Sequence, residues 1–66
     1  MNVLEAARIM GVSPQFIRLG LQQQRLPIGT AVKTSDNRWT YDVRPSLVQA
    51  YMGKEYYEKA MKKLYG

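Results

Sequence analysis

Gln15, Arg18, Leu19, Gln22 and Gln23 carry the side chains best suited to recognition, and their spacing places them together on one helix face. Projected at about 100° per residue, residues 14–24 put Ile17, Gly20, Leu21 and Gln24 on one side and those residues on the other. A guanidinium can clamp a phosphate or chelate guanine, and a carboxamide can pair with an adenine edge. Arg18 supplies the first chemistry and Gln15 and Gln22 the second. Leu19 offers an apolar group of the kind that meets a thymine methyl. A solvated helix end would account equally well for each glutamine taken alone, so the reading rests on the face as a whole. Farther on, Lys33 and Arg38 flank a polar stretch holding Asn37. Such a tip suits phosphate contact, with a turn kept polar for solubility as the plainer alternative.

The same inventory argues against catalysis. The chain has no His and no Cys, which removes the commonest acid–base, thiol and zinc chemistries. Its acids, Glu5, Asp36, Asp42, Glu55 and Glu58, form no spacing that marks an acid–base pair, and no Gly-rich phosphate loop is present. No enzyme activity, metal or cofactor is expected. Ten Lys and Arg against five Asp and Glu give a net charge of +5, which favours an anionic partner. The lack of cysteine fits a reducing compartment. No signal segment or membrane-length apolar run is expected to target a membrane.

Two short helices and a tight turn must hold the recognition face. Asn2 can cap a first helix, with Glu5 reaching back as its capping-box partner. Gly11 ends that helix, and Val12 points inward. Ser13 and Pro14 then open the second, as N-cap and first helical residue. Ala6 and Ala7 are small enough for a steep helix crossing. Gly20 costs about 1 kcal/mol against Ala inside a helix, which a close-packed neighbour would justify. Phe16 lies on the border of the two faces and reads as core rim. This is helix-turn-helix grammar, and it points to DNA.

Residues 30–33 and 38–43 read as two strands around a turn at 34–37. Trp39, Tyr41 and Val43 alternate onto one face, which should cover the helices, with Trp39 read as core. Pro45 starts another helix with Leu47, Val48 and Tyr51 as its apolar stripe, although Arg44 is a poor N-cap. Gly53 stops it. In residues 54–66, Tyr56, Tyr57, Ala60, Met61, Leu64 and Tyr65 share a face. Glu55–Lys59 and Glu58–Lys62 are favourable i,i+4 pairs. This last helix either folds back onto the core or offers Tyr56, Met61 and Leu64 to a partner.

The stretch EAARIMGVSPQFIRLGLQQQRLPIGTAVK…RWTYDV resembles the small excisionase family of phages and integrative elements from Gram-positive bacteria. These are winged-helix relatives of the DNA-binding domain of MerR-type regulators. The resemblance spans residues 2–53 and rests on EAA-x3-MGVSP-x-F-I-R, followed by LP-x-G-TAVK and an aromatic strand. It implies a mainly α fold with a small β-hairpin, a winged helix-turn-helix in residues 1–53, and an appended helix in 54–66. It also implies a recombination directionality factor that bends attachment-site DNA beside a tyrosine or serine integrase in a bacterial cytoplasm; the small surface of one such module separately leads us to expect cooperative self-association on DNA. By motif position, Gln15, Arg18, Leu19 and Gln22 would face the groove, and Lys33 and Arg38 would serve the wing. Arg44 and the tail after Gly53 depart from the pattern. A transcriptional regulator with the same fold is the main alternative, and a protein-interaction module working through the last helix is another.

Overall fold

Reciprocal hydrogen bonds start the first helix. In a computed structural model describing Met1–Gly66, Glu5 N–H donates to Asn2 Oδ1 at 2.8 Å and Asn2 N–H donates to Glu5 Oε1 at 3.3 Å. Two otherwise orphaned donors are thereby satisfied. Helix α1 (Val3–Met10) ends at Gly11, which adopts φ 70°, where a side chain would be strained. After the turn, Phe16 N–H donates to Ser13 Oγ at 3.1 Å and opens α2 (Pro14–Gln22).

Helix α2 stops short of the expected residue 24. Gln23 is its C-cap, and Gln24 turns left-handed at φ 57°. The chain then folds back, with Arg25 N–H and Leu26 N–H both donating to Gly20 O at 2.9 and 3.2 Å. Leu26 is thereby laid on Gly20 so closely that a Cβ there would sit 2.9 Å from Leu26 Cβ. Gly20 is thus matched to the close neighbour its cost implied. Gln24, expected on the inner face, is instead exposed because this reversal carries it off the helix.

Strands β1 (Gly29–Ser35) and β2 (Arg38–Val43) form an antiparallel hairpin. The first strand is longer than its sequence suggests, and only Asp36 and Asn37 form the turn. Gly29 pairs with Val43, Ala31 with Tyr41 and Lys33 with Trp39. The register then shifts between Lys33 and Ser35, leaving Thr34 as a bulge, and Ser35 pairs with Arg38. Such a bulge sharpens the local twist and re-aims the tip.

Arg44 caps α3 (Pro45–Met52) without a side-chain hydrogen bond; its guanidinium instead pairs with Asp42 at 3.4 Å. Gly53, at φ 92°, separates α3 from α4 (Lys54–Tyr65). The protein therefore comprises four helices and one two-stranded hairpin. No helix is long and apolar enough to cross a membrane.

The core gathers where α1, α2, the base of the hairpin and α3 meet. Ala6, Ile17, Ile28 and Val48 have no exposure at all, and Val43 is buried beside them. Burial falls along β2 from Val43 through half-buried Tyr41 to Trp39, which is 36% exposed. Trp39 is therefore not a core residue. Phe16 is 51% exposed rather than rim, and on α3 Leu47 and Tyr51 are exposed while Val48 and Met52 face inward. A core this small is filled by aliphatic side chains and leaves the large aromatics outside.

Helix α4 folds back onto α1 and α3. Tyr57, Ala60 and Met61 are half-buried and pack against the core, whereas Tyr56, Leu64 and Tyr65 stay exposed. The expected partner face is thus divided, and Met61 belongs largely to the interior side. Glu55 and Lys59 pair at 3.5 Å, but Glu58 and Lys62 do not.

Candidate nucleic-acid interface

Burial of Ile17 and Leu21 fixes how α2 is rotated, leaving Gln15, Leu19 and Gln23 exposed and Arg18 half-buried. The capped N-terminus holds Gln15 in the first turn with no acidic residue beside it. Arg18 lies one turn later and Leu19, 42% exposed, adjoins it. Gln23, at the C-cap, lies where the helix ends.

Gln22 is placed differently from the other glutamines. It is half-buried, and its Nε2 donates to Tyr41 Oη at 2.6 Å. One carboxamide donor is therefore spent on the hairpin, and the side chain acts as a strut between α2 and β2. Its second N–H and Oε1 make no hydrogen bond within the protein, but the bond to Tyr41 restrains how the carboxamide can turn toward a base edge.

The hairpin carries Lys33 and Arg38 to its outer end, both exposed, with exposed Asn37 in the turn. Strand alternation puts Lys33 on the face shared by Tyr41 and Trp39, and Arg38 on the opposite face. The tip is therefore cationic on both sides. Asp36, in the same turn, is the local exception.

Charge is distributed unevenly along the chain. Residues 6–35 contain Arg8, Arg18, Arg25 and Lys33 and no acid. The ion pairs involve Arg44 and Lys59, so Arg18, Arg25, Lys33 and Arg38 remain unpaired. Unpaired cations on α2, just past it and on the hairpin are electrostatically free to pair with an anionic partner.

Beside α2 lies an open groove of about 370 Å³, lined by Phe16, Leu19, Leu26 and Tyr51, with Gln23 and Arg25 at its polar parts. Sequence reasoning passed over Arg25 and Tyr51 as site residues. Arg25 lies one residue past the projected stretch 14–24, and the turn at Gln24 brings this cation beside Gln23. Of the expected partner residues, Tyr56 and Leu64 are accessible, and neither lies in this groove. No cluster of acidic, His or Cys side chains could hold a metal ion. No protein-family model, curated protein or solved structure matches this chain.

Proposed function

We propose that this protein is a double-stranded-DNA-binding winged helix-turn-helix module that acts as an excisionase, assisting an integrase by binding and bending attachment-site DNA. The observation that carries the DNA part is the exposed side of α2, with Gln15, Arg18, Leu19 and Gln23, joined through Gln22 and Tyr41 to a hairpin whose tip is cationic. In this reading α2 enters the major groove, which admits a helix. Lys33 and Arg38 lie on flanking phosphates, fixing register without reading sequence. Arg25, just past α2, adds a backbone contact.

The excision part rests on the resemblance of residues 2–53 to the excisionase family. A single module buries only about 600–1,000 Å² on DNA, so useful occupancy calls for neighbouring copies or an adjacent integrase. Exposed Tyr56, Leu64 and Tyr65 on α4 supply apolar surface for such cooperation. The test is an excision reaction with integrase and attachment-site DNA, with and without the full chain. Stimulated excision supports the proposal. Repression of a promoter without stimulated excision would favour a transcriptional regulator instead.

A further inference from the structure

Phe16, Leu19 and Tyr51 are exposed, yet they are gathered in one place: with Leu26 they line the open groove of about 370 Å³ beside α2. Leu47, also exposed, lies one turn before Tyr51 on the same side of α3. Contiguous apolar surface rimmed by polar groups marks an interaction site on a soluble domain. Here the rim is Gln23, Arg25 and the Tyr51 phenol, and none of these side chains is engaged within the protein. The surroundings carry charge of one sign. Helix α2 holds Arg18 and no acid, α3 holds no charged residue, and the turn after α2 adds Arg25. Neither arginine has an ion-pair partner in the fold.

We infer that this groove is the docking site of an acidic protein segment, which inserts apolar side chains among Phe16, Leu26 and Tyr51 and sets a carboxylate on Arg25. Charge complementarity selects this occupant. A second copy of the chain fits poorly, because its other exposed apolar groups stand among cations. On α4, Tyr56, Leu64 and Tyr65 share the helix with Lys54, Lys59, Lys62 and Lys63; on the hairpin, Val32 and Trp39 adjoin Lys33 and Arg38. Leu4 lies one turn from Arg8, and the nearby Glu5 is committed to the cap of α1. Each would bring positive charge toward Arg25. Duplex DNA matches the charge but offers no side chain for the apolar floor. The groove is at the low end of ligand-cavity volumes, about 300–1,000 Å³. Its open mouth fits a few projecting side chains of a larger partner. Leu19 and Gln23 belong both to this groove and to the side of α2 proposed to face DNA, so segment and duplex exclude each other. That exclusion rests on the DNA-binding proposal, whereas the docking does not.

A library of random displayed peptides is selected on the full chain at about 0.15 M salt, where long-range attraction to a protein of charge +5 is screened. Selected sequences should combine Asp or Glu with Leu, Phe or Trp. A labelled synthetic peptide of selected sequence is then titrated by anisotropy. Tyr51→Ala and Arg25→Ala should each weaken it roughly tenfold, the loss typical of an anchoring interface residue. Tyr51→Ala should leave duplex binding unchanged, and excess peptide should release a labelled duplex from the wild-type chain. No enrichment over the display background would overturn the docking site. So would selected peptides that are basic or lack apolar anchors, or acidic ones that bind both variants as tightly as wild type. Peptide and duplex bound together would overturn the exclusion alone. A duplex that never binds at low salt would remove the DNA proposal, with the peptide arm still deciding the docking. Both substituted residues are exposed, circular dichroism checks each fold, and either variant alone is enough for the comparison.

Discussion

Gln22 Nε2 donates a hydrogen bond to Tyr41 Oη at 2.6 Å, tying the last turn of α2 to the middle of β2. This bond braces the helix proposed to read DNA against the hairpin proposed to grip its backbone. Tyr41→Phe removes the acceptor while keeping the ring, and should cost about 0.5–1.5 kcal/mol in denaturant unfolding. Gln22→Ala should cost a similar amount. In the double variant the two costs should fall short of additive, because both remove one bond. Full additivity would show that the contact contributes nothing.

Gly20→Ala sets helix propensity against packing. Alanine would favour the helix by about 1 kcal/mol. Its Cβ would lie 2.9 Å from Leu26 Cβ, an atom near the backbone that cannot swing aside. Overpacking of this kind costs about 1–3 kcal/mol, so the net expected change is destabilising. Thermal unfolding decides it, and a raised midpoint would mean that Leu26 does not rest on α2 so closely.

Removal of residues 54–66 should unfold or strongly destabilise the protein. Tyr57, Ala60 and Met61 cover the core from α4, and a domain of this size has only about 3–5 kcal/mol to lose. Far-ultraviolet circular dichroism of a chain ending at Gly53 is the check. A cooperative transition at the full-chain temperature would assign α4 to partner binding alone. Tyr56→Ala, by contrast, alters an exposed residue and should leave stability nearly unchanged.

Readers and positioners of DNA should separate by mutation. Gln15→Ala should reduce discrimination between a preferred site and a mutated one by about 1 kcal/mol. Lys33→Ala and Arg38→Ala should weaken both duplexes alike and flatten the salt dependence. Competition binding against scrambled DNA measures this. A loss confined to the preferred duplex in the Lys33 variant would make the hairpin a reader.

The helix boundaries near the N-terminus were legible because caps and breakers are local chemistry: Asn2, Glu5, Gly11, Ser13 and Pro14 each act on neighbours within a turn. The two-faced character of α2 was legible from Ile17 and Leu21. The outward placement of Phe16 and Trp39 was not, because periodicity gives a face but not how far the core extends along it. Nor could local pattern reveal that Gln22 spends one donor on Tyr41, a residue 19 positions away. The reversal at Gln24 escaped notice for a related reason. A non-glycine residue at positive φ is disfavoured locally, and here the packing of Leu26 on Gly20 accompanies it.

Binding of the full chain to duplex DNA across a range of salt concentrations tests the central claim most directly. Arg18, Arg25, Lys33 and Arg38 are unpaired and available to phosphates. Neutralising about three to five phosphates should give a log–log slope of affinity against salt of about −3 to −5. The slope should become shallower by about one for each of Lys33→Ala and Arg38→Ala. Binding that ignores salt, or no binding to duplex at low ionic strength, would contradict the assignment of this protein to DNA.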